Sequence, residues 1–418
     1  MVFAIRSSGP GPWQAHLTPF QEEFISPPYS QAQPRRPASC QIEERRLTSK
    51  KERKERTVAI VQTQAENAGA QEIARQLATG FEKRGWRTRQ IFFYRRTDSF
   101  DDESNVFFCA RERPASPVSV LKLLSALYSE LRRADPAVVV TLQHYGNIIA
   151  APVAKLSGVQ TVIANQLSAP EVIPRAVARI DRILGTLGAY DKIVVNSAQT
   201  EAAYRAYPAP YARRLAHIEH GFLDKSSNLS KAEARGRLGL PQDAVLLGCA
   251  ARLHPLKQLD LAIGLLAENA GQHLALAGQG ADLERLRGVA LSLGVSDRVH
   301  FLGELDASRM GAFLAALDCF VFPSAAESFG LAPVEAAQAG LPVVANDLPV
   351  LRDVLSIDDA SCALFVDARD TRAFAHAVER VLKDGALSDS LTGAGRRLCQ
   401  RFPLDRMIDQ YLALMESA

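Results

Sequence analysis

Along residues 57–418, short apolar runs alternate with longer stretches in which apolar positions recur every three or four residues. The two periods separate strands from helices. Val58-Ala59-Ile60-Val61 reads as a first buried strand, 70–84 as a helix, and 88–93 and 137–142 as further strands. Strands are also expected over 161–164, 192–196 and 215–219. The apolar pattern breaks over 221–230 and restarts at 245–250. Beyond it come a helix over 256–267, a strand over 273–277, a helix over 281–293, a strand over 299–302, a helix over 308–317 and a strand at Cys319-Phe320-Val321-Phe322. Strands apolar on both faces and separated by helices predict parallel sheets covered on both sides. The break predicts two of them, an α/β chain of two Rossmann-like, doubly wound domains whose ligands bind beyond the carboxyl ends of the strands. The expected divisions are a tail over 1–56, a first domain over 57–225, a second over 226–402 and a terminal helical segment over 403–418.

Composition adds limits. A hydrophobic content of 47% with 23% charged residues is that of an ordinary α/β protein. No apolar run reaches the 18 or so residues that a membrane span needs, and no secretory signal pattern opens the chain, so a cytoplasmic location is expected. The six cysteines lack C-x-x-C spacing and read as reduced core residues. The net charge of +3 is uneven: residues 1–56 carry +4 and the rest −1. A body without a basic field argues against a nucleic-acid partner. The tail is rich in proline and ends in a run of Lys, Arg and Glu, the composition of a disordered segment. Such a run is a solvated tail in its plain reading and a contact for anionic lipid headgroups at the inner membrane surface in its sharper one. A start codon assigned too far upstream would append a similar segment.

The chemistry concentrates in Pro323-Ser324-Ala325-Ala326-Glu327-Ser328-Phe329-Gly330-Leu331-Ala332-Pro333-Val334-Glu335. A buried strand precedes it, and Pro333 suits the first turn of a helix. Gly330 therefore stands at a helix N-terminus, where amides of Gly330 and Leu331 are free for an anion and the absence of a Cβ lets a phosphate approach. Glu327 and Glu335 are eight positions apart, at most roughly 12 Å at helical rise. That is the span of a sugar diphosphate from hexose to ribose hydroxyls. Two glutamates on a solvated helix are the plain alternative.

With its flanking strand and turns, this segment resembles the E-x7-E signature of retaining glycosyltransferases of family 4, which have the GT-B fold of two Rossmann-like domains facing a central cleft. The resemblance implies that Glu327 holds the donor sugar, the amides of Gly330 and Leu331 hold the diphosphate, and Glu335 holds the ribose. Ala251-Arg252-Leu253-His254-Pro255-Leu256-Lys257 resembles the G-R-L-x-x-x-K-G segment, which implies that Arg252 and Lys257 bind the diphosphate. Two cations aimed at the departing phosphate would lower the barrier without a metal. Ala251 and Gln258 depart from the glycines of that pattern. Gly278 and Gly280 resemble the loop that passes the nucleoside, and Leu302, in Phe301-Leu302-Gly303, the strand end where backbone groups read the base.

In the first domain, Gly69 matches a glycine loop near donor phosphate or acceptor, and His144 follows a strand and is expected to face the cleft. His220 is expected to shape the hinge. Gln166 falls where the family commonly has a His that contacts the donor sugar. Glutamine cannot serve as a base near neutral pH. The terminal helix is expected to cross back onto the first domain, as in the resembled proteins.

The expectation is a metal-independent, cofactor-free hexosyltransferase of polysaccharide or glycoconjugate synthesis. Its donor would be a UDP-, GDP- or ADP-linked sugar and its acceptor a hydroxyl of a glycan, glycolipid or small alcohol. A non-catalytic nucleotide-sugar-binding subunit and a UDP-sugar epimerase of the same architecture are the alternatives.

Overall fold

The computed structural model describes residues 56–417, so the basic run, with its lipid-contact reading, and Cys40 lie outside the described residues. Seven parallel strands form the first sheet: β1 (Thr57–Ala65), β2 (Arg87–Arg95), β3 (Val106–Ala110), β4 (Val138–Leu142), β5 (Thr161–Gln166), β6 (Lys192–Val195) and β7 (Leu215–His217). Their order is β3-β2-β1-β4-β5-β6-β7. β1 lies in the middle of the core, with Val61 in register with Ile91 on one side and Thr141 on the other. The second sheet takes β8 (Val245–Ala250), β9 (Gln272–Ala277), β10 (Val299–Gly303), β11 (Cys319–Phe322) and β12 (Val343–Asn346). A hairpin of β13 (Ser356–Ile357) and β14 (Ala360–Ser361) precedes its edge strand β15 (Leu364–Val366), and the order is β10-β9-β8-β11-β12-β15.

β8 and β11 have the expected limits. β1 and β5 run further than hydropathy suggests, because their polar ends are buried: Gln62, Asn165 and Gln166 are each no more than 1% exposed. Asn165 Nδ2 donates to Thr141 O at 3.0 Å and its Oδ1 accepts from Tyr411 Oη. Extended backbone therefore continues past the last aliphatic residue.

Helix Leu404–Glu416 packs on the first sheet. Met407, Ile408, Tyr411 and Met415 share an apolar cluster with Val58, Ile60, Ile73, Leu77 and Phe81. The chain thus crosses between domains twice, and the crossings touch: Phe222 N donates to Phe402 O at 3.1 Å, and Arg401 Nη2 binds Glu219 at 2.8 Å. Of the cysteines, Cys249, Cys319 and Cys362 are buried, and burial pushes the thiols of the first two up to about 12. Cys399 corrects the expectation of an all-core set, since it lies exposed.

Ile408 is fully buried. Ile408→Ala is expected to lower the free energy of unfolding by about 3 kcal/mol in urea denaturation. A loss under about 0.5 kcal/mol, the level of surface substitutions, would mean that the terminal helix does not dock in solution.

Candidate functional site

A cavity of about 880 Å³ opens between the carboxyl ends of the two sheets. From the first domain the turn after β1 brings Glu66, Asn67 and Gly69, and the loop after β5 brings Leu167 and Ser168. From the second, the loop after β8 brings Arg252 and Lys257, the turn after β9 brings Gly278, and the segment after β11 brings Glu327, Gly330, Leu331 and Glu335.

The segment after β11 is fixed from below. Ala325 N donates to Leu256 O at 2.9 Å, Asn346 Nδ2 donates to Ser324 O at 3.0 Å, and Phe329 is buried with its ring 5.0 Å from His220 and 5.4 Å from Phe402. Gly330 caps helix Leu331–Gln338 with φ 93°, a left-handed conformation that costs a residue with a Cβ about 1–2 kcal/mol. The amide end of this helix therefore faces the cavity with little side chain in the way. In the Arg252–Lys257 loop, Gln258 takes the left-handed conformation itself, with φ 47°, so the loop bends where the resembled pattern has glycine. Gly278 and Gly280 have a packing reason: a Cβ would lie 2.0 Å from Ala251 O or 2.1 Å from Leu253 O. Gly278 lines the cavity, whereas Gly280 and Leu302 are not among the lining residues.

Each of these cations has a carboxylate neighbour. Lys257 Nζ donates to Glu327 Oε1, and Arg252 Nη1 lies 3.7 Å from Glu66 Oε1. Lys225, from the linker, lies 2.6 Å from Glu335 Oε1 and 3.6 Å from Glu72 Oε1 of helix Gly69–Lys83, so one ammonium joins both domains. Burial pushes the Glu335 carboxyl up, and Lys225 opposes that rise. Burial also disfavours the Lys225 ammonium, but Glu335 and Glu72 outweigh it and hold Lys225 above the usual lysine range. Glu304 makes a further bridge, accepting from Asn67 N at 2.6 Å and Ser99 Oγ at 3.0 Å. Leu331 Cδ1 stands 2.9 Å from the place of a Cβ on Gly69, so the opposing loops are already close.

Two first-domain expectations change. Gln166 does not face the cavity: its amide donates to Asp181 and to Tyr211 Oη, both at 2.9 Å, and its Oε1 accepts from Tyr204 Oη at 3.2 Å. As the last residue of β5 it is turned into the core, and Ser168 reaches the cavity instead. His144 is not among the lining residues. Its Nδ1 is 3.3 Å from Ser168 Oγ, and burial holds its pKa below the usual histidine range. His220 lines the cavity from the hinge, with Nε2 2.9 Å from Asn196 Nδ2, and burial pushes its pKa down to about 3. Sequence reasoning passed over Lys225, Glu66 and Glu304. Lys225 had no signal beyond a lone charge in a linker, while Glu304 followed the recognised Phe301-Leu302-Gly303 end.

Residues 230–398 match the family model described as Glycosyl transferases group 1. A D-inositol 3-phosphate glycosyltransferase of Acidothermus cellulolyticus is 33% identical over 200 residues, covering 45% of this chain and 44% of that protein. The lipopolysaccharide core biosynthesis glycosyltransferase LpsE of Rhizobium meliloti is 33% identical over 184 residues, 44% and 53% of the two chains. The chain spans about half the length of these relatives. Among solved structures, Anabaena Alr3699/HepE in complex with UDP and glucose superposes with a TM-score of 0.74 at 18% identity, over 86% of this chain and 99% of that one. WaaG, a glycosyltransferase involved in lipopolysaccharide biosynthesis, gives 0.70 at 16%, over 86% and 100%. The fold is thus GT-B, and residues 230–398 are similar to the glycosyl transferases group 1 family.

Lys225→Met leaves the buried Glu335 without its cation, and a loss of roughly 3 kcal/mol is expected at pH 8. Glu335 then titrates still higher in the folded chain than in the unfolded one. Its contribution to stability is full below the unfolded carboxylate range and falls as pH rises through the folded pKa. The variant should therefore lose less relative to wild type at pH 5 than at pH 8. Denaturant midpoints at the two pH values check this, and equal losses would show that the carboxylate is not the cause.

Proposed function

We propose that this protein is a retaining glycosyltransferase that moves a hexose from a nucleoside-diphosphate sugar to a hydroxyl acceptor. The observation that carries the reading is the convergence of Arg252, Lys257, Glu327, the helix amide end at Gly330 and Leu331, and Glu335 on one cavity at the carboxyl ends of both sheets. In this reading the diphosphate takes the guanidinium and ammonium as partners and lies against the helix amides, Glu327 holds hexose hydroxyls and Glu335 accepts from the ribose. As the bond from the anomeric carbon to the β-phosphate oxygen breaks, the leaving oxygen gains the electron pair. Arg252 and Lys257 stabilise that charge where it develops. The acceptor oxygen bonds the anomeric carbon on the same face, and its proton passes to the departing phosphate, so no protein base is required. Gln166, turned into the core, has no part in this step. The facing domains exclude the water that would hydrolyse the donor.

HepE is known in complex with UDP and UDP-glucose, which makes UDP-sugars the first donors to test, ahead of GDP- and ADP-linked ones. The acceptor is proposed as a glycan, glycolipid or small alcohol of glycoconjugate synthesis.

Saturation-transfer NMR against UDP-, GDP- and ADP-sugars, with donor hydrolysis followed in the same samples, tests the reading. One donor should bind and be turned over slowly. Lys257→Ala and Glu327→Gln should each lower turnover by about 10²–10³, the usual size for a lost electrostatic contact to the transition state. Glu335→Gln should raise KM more than it lowers kcat. Binding without any turnover would favour a nucleotide-sugar-binding subunit, conversion of the sugar without an acceptor would favour an epimerase, and no binding would end the proposal.

A further inference from the structure

Three successive helices cover one face of the first sheet: Pro117–Ala134, Gln143–Leu156 and Arg175–Leu187. They share one apolar cluster, to which the first gives Leu123, Leu127 and Leu131, the second Ala150, Ala151 and Ala154, and the third Leu184. Their outer sides are unusual. Helix Arg175–Leu187 places Ala176, Ile180, Ile183 and Leu187 on one stripe, and its three large apolar side chains are 45%, 50% and 79% exposed. Arg175, Arg179 and Arg182 are exposed beside that stripe. Helix Pro117–Ala134 exposes Val118, Leu121 and Tyr128 together with Lys122, Arg132 and Arg133.

Among the described residues, these three helices carry no exposed carboxylate, for a structural reason. The only acid of helix Arg175–Leu187 is Asp181, buried and bonded to Gln166, Tyr190 and Tyr211. The only acid of helix Pro117–Ala134 is Glu130, buried between Arg89 and Arg133, so Arg133 is already paired within the helix. Helix Gln143–Leu156 has none. The exposed acids nearby, Glu112, Asp135 and Glu171, are in the flanking loops.

We propose that this face docks on an anionic lipid surface, with Ile180, Ile183 and Leu187 entering the headgroup boundary and the arginines paired with lipid phosphates. An apolar stripe flanked by cations is the pattern of an interfacial helix. A second copy of this chain is the poorer occupant, because it would set the exposed cations of one copy against those of the other. The docking does not depend on the proposed activity. If both hold, the acceptor is membrane-borne, since Gln143, at the start of the middle helix, lines the cavity.

Co-sedimentation of the full chain with phosphatidylcholine vesicles, with and without phosphatidylglycerol, tests the proposal. Binding is expected to the anionic vesicles and to weaken with salt. Ile180→Gln/Ile183→Gln/Leu187→Gln should reduce it at least about tenfold, because three large apolar side chains no longer leave water. Arg175→Gln/Arg179→Gln/Arg182→Gln should abolish the preference for anionic vesicles. These side chains are exposed, so thermal melts should match wild type in both variants. Unchanged binding in the triple glutamine variant would assign the membrane contact to residues 1–55 and overturn the proposal, as would no binding by wild type. Self-association in sedimentation velocity that the triple variant loses, without vesicle binding, would show a protein interface instead.

Discussion

A buried carboxylate needs a cation or a set of hydrogen-bond donors beside it, and Glu335 obtains a cation from outside its own domain. Helix Leu331–Gln338 carries Glu335 into the cleft, where it is 9% exposed, and the 2.6 Å contact from Lys225 comes from the linker. The same ammonium reaches Glu72 on the facing helix. The relation of the two sheets is therefore coupled to the charge state of a residue at the proposed ribose position. Glu304 adds a second bond of this kind through Asn67 and Ser99. At the rear, Phe329 joins His220 and Phe402 in one ring cluster, so the segment that presents Glu327 is packed against the hinge.

Local physics made much of this legible in the sequence. The strand, turn and helix around Glu327 and Glu335 follow from an apolar run, a glycine in the left-handed region and a proline in the first turn, all within about 15 residues. Gln166 was not legible in the same way. Hydropathy ends β5 at Ala164, because Asn165 and Gln166 read as loop. In the fold both are satisfied by partners 15 to 246 positions away, among them Asp181, Tyr211 and Tyr411. A polar residue with such partners is indistinguishable in sequence from one that faces solvent. Lys225 failed for the reverse reason, as a charge in an irregular linker whose partners lie on two helices far from it in sequence.

The buried Asp181 cluster links two regions that seem unrelated. It satisfies Gln166, which removes that side chain from the cleft, and it takes the only acid of helix Arg175–Leu187 off the surface. One inward carboxylate thus leaves the outer face of the helix without an acid. Burial pushes the Asp181 carboxyl up, while donors from Tyr211, Gln166 and Tyr190 favour its ionised form.

Within the proposed reaction, the carboxylate neighbours of Lys257 and Arg252 make donor binding an exchange of partners. A diphosphate carries more charge than one carboxylate and offers more acceptor oxygens, so it competes well for the ammonium and guanidinium. Glu327, released from Lys257, is then free to accept from hexose hydroxyls. A nucleotide without a sugar would free Glu327 and offer it nothing in return. The pairing therefore favours the complete donor over the nucleoside diphosphate alone, without any contact that reads the base.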